Sequence, residues 1–349
     1  MIEGDAKRLI QAAVNQEVSD IHILPTKKAY AIHFRTNGRL SLYEEKSIDW
    51  GKRLISHFKY LANMDVGEKR RPQSGSTALM IEEENVELRF STITNVLLYE
   101  SIVIRVLKAQ KRSNNQVITY FPEDIDLLRT LTQRKSGLIL FSGPVGSGKT
   151  TTIYQLLREL IQQESLQIIT MEDPVEIFEE QFLQTEVNEK AGITYDLLIK
   201  SSLRHHPDVL MIGEIRDEET ARMAVRGALT GHLMIATIHA KNTLGVIARL
   251  QELSISDEQL RQTLIGVISQ RLVPRYCYQC QSACRLDCQD KKQNQKRAAI
   301  FEILAKDSLN SVLHNNHTYI EYDSLNDKLR KAWAYGYIDE ATYTKFEII

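Results

Sequence analysis

No apolar run in this sequence approaches the ~18 residues that a helix needs to cross a bilayer. The amino terminus, MIEGDAKRLIQAAV, lacks the uninterrupted apolar core of a secretory signal and is instead charged and amphipathic. These absences predict a cytoplasmic chain, one that meets any membrane assembly peripherally, from the cytoplasmic face. Neither charge sign is in excess: 44 Lys and Arg stand against 45 Asp and Glu, a net charge of −1. Proteins that cover nucleic acid carry a basic surplus to neutralise phosphates, so no direct nucleic-acid partner is expected. Cysteine is scarce, and all four lie between Cys277 and Cys288. In a reducing compartment that clustering favours metal binding or free thiols over disulfides. Internal repeats and long low-complexity tracts are also missing.

The 349 residues suffice for two domains, and 43% hydrophobic with 26% charged residues is the balance of a folded chain. Residues 1–108 read as a small α+β domain. Asp5 to Val14 has helical apolar spacing. Ile21 and Ile23, then Tyr30, Ile32 and Phe34, alternate with polar residues, and Asn37-Gly38 is a hairpin signal. VELRFSTI (86–93) and ESIVIRVL (100–107) read as further strands. A polar stretch without periodicity follows, and residues 109–123 are expected to form a linker. Within 124–349 the pattern changes to apolar strand-length runs alternating with helices: GLILFSG, TTIYQLLRELIQQ, LQIITMED, DVLMIGEI, ETARMAVRGAL and HLMIATIHA. That alternation predicts an α/β domain with right-handed crossovers and a mostly parallel sheet.

GPVGSGKT fits the P-loop spacing in full, with an apolar strand running in and a helix running out. Gly143, Pro144, Val145, Gly146, Ser147, Gly148, Lys149, Thr150 and Thr151 are therefore expected to bind ATP. Glycines let backbone N–H groups turn toward phosphate oxygens, and the helix N-terminus adds positive partial charge. Lys149 should reach the β- and γ-phosphates, and the Thr150 hydroxyl should ligate Mg²⁺. Glu172 ends the strand in IITMEDPVE, Glu214 ends the strand in DVLMIGEIRD, and His239 ends the strand in HLMIATIHA. Ligands of open α/β sheets sit beyond these strand ends, so Glu172 and Glu214 are candidates to hold Mg²⁺ or orient water, and His239 to sense the γ-phosphate. His232 begins its strand and reads either as a second sensor or as a packing or subunit-contact residue.

GPVGSGKTTT, TMEDPVE, LRHHPDVLMIGEIRDEETA and TGHLMIATIHA resemble the Walker A, Asp box, Walker B and His box of the type II/type IV secretion and pilus-assembly ATPases. SDIHILP, FRTNGRL, RRPQSGS, VELRFST and SIVIRVL resemble the N-terminal domain of that family, so the likeness covers nearly the whole chain. It implies a RecA-like P-loop domain preceded by a smaller PAS-like domain. It also implies ATP hydrolysis in a homohexameric ring and a polytopic inner-membrane platform protein as partner. By position, Glu214 corresponds to the Walker B glutamate and Glu172 to the Asp-box acid; which of them is the base stays open. Arg89 and Arg105 match arginines that reach the nucleotide phosphates. Two departures stand out. His206 replaces the acid usual before Pro-Asp, and Tyr99-Glu100 replaces a Gly-Glu pair.

Cys277, Cys280, Cys284 and Cys288 span a length suited to one tetrahedral Zn²⁺ site, although only the first pair is a true C-x-x-C. Zinc and free structural thiols both remain open. The basic run from Lys291 to Arg297 reads as a solvated loop. The short chain with its cysteine loop, lacking the C-terminal motif of retraction motors, most resembles the late-competence pilus ATPases of Gram-positive bacteria. Those motors power a pseudopilus used in DNA uptake. A retraction or type II secretion motor, and a nucleotide-gated scaffold with little turnover, are the alternatives.

Overall fold

A computed structural model describes residues 2–36, 38–81, 84–108, 117–284, 288, 296–314 and 322–348. The chain divides into two compact units, Met1–Ser113 and Asn114–Ile349.

The first unit is α+β. Helix α1 (Ile2–Asn15) and helix α2 (Ile48–Leu61) cover a six-stranded antiparallel sheet. Its strands are β1 (Asp20–Pro25), β2 (Ala29–Thr36), β3 (Arg39–Ser47), β4 (Gln73–Ile81), β5 (Glu84–Thr94) and β6 (Glu100–Lys108), in spatial order β3-β2-β1-β6-β5-β4. The buried face of α1, with Ala6, Leu9, Ile10, Ala13 and Val14, packs with Leu54, Ile55 and Phe58 of α2 against Ile21, Ile23, Ile32, Phe90 and Ile104 of the sheet. A buried ion pair enters this core: Lys59 Nζ donates to Glu100 Oε1 and to the Glu68 carbonyl, each at 2.6 Å. Helix α2 and the edge strand β4 were not foreseen in the sequence. Asn37 of the expected hairpin lies outside the described residues; Gly38 beside it has φ +78°.

The second unit is α/β. It comprises α3 (Pro122–Thr132), β7 (Gly137–Ser142), α4 (Lys149–Gln163), β8 (Ile168–Glu172), β9 (Leu183–Glu186), α5 (Tyr195–Ser202), β10 (Val209–Ile215), α6 (Glu218–Leu229) and β11 (Leu233–Ile238). Then come α7 (Thr243–Glu252), α8 (Asp257–Thr263), β12 (Leu264–Pro274), a small hairpin of β13 (Tyr276–Cys277) and β14 (Ser282–Ala283), β15 (Arg297–Ala305), α9 (Lys306–Leu313), α10 (Leu325–Ala334) and α11 (Glu340–Phe346). The seven-stranded sheet runs β15-β12-β7-β11-β10-β8-β9, parallel throughout except for β15. Strands β7, β8 and β11 are buried along their whole length, which explains their continuous apolar runs. Residues 109–116 of the expected linker lie outside the described residues. Thr119 to Phe121, expected in the linker, belong to the second unit: Tyr120 Oη donates to the Val273 and Pro274 carbonyls, and Phe121 is buried with Ile300 and Leu329.

Candidate functional site

The loop between β7 and α4 is built for close backbone approach. Gly143, Gly146 and Gly148 have φ of +144°, +75° and +86°, a region that side chains disfavour. A Cβ on Gly143 would come within 2.5 Å of the Gln270 carbonyl oxygen, so nothing larger fits there. Gly148 caps α4, leaving its first N–H groups without a side-chain partner and available to an anion. Lys149 Nζ lies across the loop, donating to the carbonyls of Gly143 at 2.8 Å and Pro144 at 3.2 Å. Burial lowers its pKa, against the opposing pull of Glu214. Ser147 Oγ is buried without a hydrogen-bond partner among the described residues, while Val145 at the loop tip is exposed. A glycine cradle, an ammonium at its mouth and an open helix start fit a triphosphate. Thr150, at the second position of α4, is partly exposed there.

The four parallel strands β7, β11, β10 and β8 end on one edge of the sheet, and their ends carry the candidate acids and His239. Glu214 accepts from Arg216 Nε at 2.7 Å on one oxygen, and its other oxygen lies 2.9 Å from His239 Nε2. Arg216 reaches on to Asp173, 3.1 Å away. Glu172 is set deeper. Its Oε1 accepts from Thr170 at 2.7 Å and from the Tyr154 hydroxyl, and burial raises its pKa. His232 lies at the opposite end of β11, roughly 20 Å away for a six-residue strand. There its Nδ1 is 3.3 Å from the Gly227 carbonyl.

Three further groups of this unit went unnoticed in the sequence. Gln270 on β12 donates to the Ser147 carbonyl at 2.8 Å and so braces the cradle. Its neighbour Arg271 donates to the Gln270 carbonyl at 3.0 Å and to the Lys241 carbonyl at 2.7 Å, tying the segment after His239 to the same strand. Arg271 also adds a second cation whose charge Lys149 feels. Tyr195 feels the charges of Asp173, Arg216 and Glu214, and burial raises its pKa.

In the first unit Arg89 and Arg105 are directly opposed across β5 and β6. Arg89 pairs with Glu87 at 3.2 Å and Arg105 with Asp20 at 3.2 Å. Asp20 is itself in register with Arg35 on β2, so the row reads Arg89, Arg105, Asp20, Arg35 across four strands. Arg35 is the member missed in the sequence, where it stands within FRTNGRL.

The cysteines form a compact group, with all four Sγ atoms within 4.8 Å of one another. A tetrahedral zinc with Zn–S of ~2.3 Å needs sulfurs roughly 3.8 Å apart, and the Cys277 to Cys288 distance is 3.8 Å. Backbone N–H groups of Cys280 and Gln279 hold the Cys277 thiol below its usual pKa, which favours thiolate. The hairpin is tied to the chain's end: Tyr276 N donates to the Tyr337 carbonyl at 2.8 Å and Ala283 N to Asp339 at 3.1 Å.

Among the described residues, no helix is long and apolar enough to cross a membrane. Competence protein ComGA of Bacillus subtilis is 39% identical over 348 residues, covering 99% of this chain and 98% of its own. Competence protein ComGA of Halalkalibacterium halodurans is 42% identical over 343 residues, 97% of each chain. In structure, the Legionella pneumophila ATPase DotB superposes with a TM-score of 0.74 at 20% identity, covering 97% of this chain and 94% of its own. The pilus retraction motor PilT with bound ADP superposes at 0.70 and 24% identity, covering 98% and 97%. These two likenesses carry the α/β fold of the second unit and its α+β partner. The sequence profile of the type II/IV secretion system protein family matches residues 1–342; with its P-loop intact, the chain belongs to that family as one of its ATPases.

Proposed function

We propose that this ATPase powers assembly of a type IV-like competence pseudopilus for DNA uptake. In this reading it works as a homohexamer against a polytopic membrane platform on the cytoplasmic face. The observation that carries the reading is full-length likeness to two ComGA proteins with the nucleotide machinery complete. The cysteine loop favours assembly over retraction.

In this reading the glycine cradle and Lys149 hold the β- and γ-phosphates. Thr150 and Glu214 are the residues that would hold Mg²⁺, whose contribution is to neutralise charge on the departing phosphate. Glu214 is the better placed of the two acids to orient water. Its oxygens face His239 and Arg216, whereas the Glu172 carboxylate is enclosed by Tyr154 and Thr170. Glu172 then positions Tyr154 and the base of α4 from behind. His239 holds Glu214 and reports on the γ-phosphate, while His232 stabilises the turn before β11. Arg89 and Arg105 supply positive charge to the phosphates. The cysteine group binds one Zn²⁺ and staples the C-terminal helices to β13 and β14.

Deletion of the gene tests the direction. The expected outcome is loss of sheared surface pilin and of DNA uptake. Abundant pilin in the sheared fraction of the deletion strain would make the chain a retraction motor while leaving its ATPase chemistry untouched.

A further inference from the structure

The β5–β6 connection presents three consecutive apolar side chains to solvent. Val96 is 97% exposed, Leu97 55% and Leu98 62%. Three bulky apolar residues in one exposed turn forfeit burial, and such patches mark contact sites. The turn is fastened from within. Asn95 Oδ1 accepts from Leu97 N at 2.9 Å and Tyr99 N at 3.0 Å, while Asn95 N donates to the Tyr99 carbonyl at 2.9 Å. Leu98 is held at φ +61°, a left-handed conformation that a leucine rarely adopts.

A basic loop stands beside the turn. Lys69, Arg70 and Arg71 are all exposed, and the Thr94 hydroxyl donates to the Lys69 carbonyl, joining the loop to the base of the β5–β6 turn. The two acids of the loop bond the loop's own backbone. Asp65 Oδ1 accepts from Gly67 and Glu68 N–H groups, and Glu68 Oε1 accepts from Arg70 and Arg71 N–H groups. The Glu68 carboxylate has one further, loose partner in Arg71, 3.9 Å away. The loop is anchored to the core through Lys59 and Gln73, which donate to the Glu68 carbonyl. On the other side Lys52 sits 4.9 Å over the Tyr99 ring. The surface thus sets an apolar tip near the basic loop of Lys69, Arg70 and Arg71, with Lys52 over the tyrosine at the base of the turn.

We infer that this tip is a membrane-docking element, with Val96, Leu97 and Leu98 entering the headgroup region of a bilayer whose anionic lipids pair with Lys69, Arg70, Arg71 and Lys52. Apolar side chains beside clustered cations are what an anionic lipid surface attracts, and tyrosine favours the interface between headgroup and tail. A protein partner matched to the tip alone would leave these four guanidinium and ammonium groups without a counter-charge from the partner; a lipid surface supplies one wherever they fall. The inference goes beyond the motor reading and does not depend on it, because turnover without lipid reports on that reading separately.

Vesicle sedimentation of the full chain tests it. Wild-type protein should bind vesicles of phosphatidylglycerol and phosphatidylethanolamine at low salt and leave vesicles of pure phosphatidylcholine unbound. Raising the salt to about 0.5 M should release most of it, because screening shortens the reach of the basic loop. Val96→Asp with Leu97→Asp, and separately Lys69→Glu with Arg70→Glu, should each weaken binding at least tenfold; removing one basic residue near such a surface costs about fivefold. Unchanged circular dichroism and lipid-free ATP turnover certify that both variants are folded. Failure of the wild type to bind anionic vesicles, equal binding to neutral ones, or variants that bind as well as wild type would each overturn the inference. A changed sedimentation coefficient of the Val96→Asp/Leu97→Asp protein without lipid would overturn it too, assigning the tip to contacts between copies.

Discussion

Glu214 is gripped from two sides, by His239 at 2.9 Å and by Arg216 at 2.7 Å, on different oxygens of one carboxylate. Both carboxylate oxygens are therefore oriented before any ligand arrives. Glu214→Gln keeps the shape and loses the charge. It should bind ATP with near-normal affinity and hydrolyse it about 10²–10⁴-fold more slowly. Equilibrium binding of a fluorescent ATP analogue, read beside steady-state phosphate release, separates the two effects. Wild-type turnover in this variant would remove Glu214 from the chemistry.

Glu172 makes the contrasting case. Its carboxylate is enclosed by hydroxyls from Tyr154 and Thr170, so its loss should disturb the base of α4 as much as catalysis. Glu172→Gln retains a hydrogen-bonding side chain and should lose less turnover than Glu214→Gln. If Glu172→Gln were the slower of the two, the roles would be exchanged.

The opposed pair Arg89 and Arg105 should matter for turnover and not for folding, because each pairs with a partly exposed carboxylate. Replacing either by Ala should leave the melting temperature within about 2 °C and lower kcat strongly, toward the ~10³-fold that a phosphate-facing arginine can contribute. Arg35→Ala, in the same row, is the informative companion. An effect on kcat there would extend the pair to a row of three.

Lys59 and Glu100 form a buried pair 2.6 Å apart. Removing only the cation strands a carboxylate in the first unit's core. Lys59→Met should destabilise that unit by about 3–5 kcal/mol, whereas the double change with Glu100→Gln should recover a good part of it. Urea midpoints of the single and double variants measure the difference.

Elemental analysis should find about one zinc per chain, and Cys284→Ser should abolish it. The hydrogen bonds from Tyr276 and Ala283 to the chain's end predict that metal loss also loosens α11. Limited proteolysis with and without a chelator would show cleavage appearing near residue 340. A metal-free protein with unchanged proteolysis would leave the cysteines as plain thiols.

The two-unit arrangement and the four central strands β7, β8, β10 and β11 were readable because parallel, fully covered strands write themselves as unbroken apolar runs. The P-loop was readable because its geometry admits few residue types. Strand β12 was hidden for a functional reason: Ser269, Gln270 and Arg271 interrupt its apolar pattern, and two of these serve the cradle and the Lys241 segment. Edge strand β4 was hidden because its exposed positions, such as Ser74 and Ser76, alternate with only modestly apolar ones. Arg216 and Tyr195 meet the acids through folding rather than spacing, and no short-range pattern marks such a meeting.

Strand β12 also has a mechanical consequence. Gln270 grips the cradle, Arg271 grips the carbonyl beyond His239, and a few residues later the same extended run enters the hairpin that carries Cys277. The cradle, the segment after His239 and the cysteine hairpin are therefore all tied to one continuous stretch of backbone. Whatever fixes the cysteine hairpin also fixes one end of the strand that braces the phosphate loop.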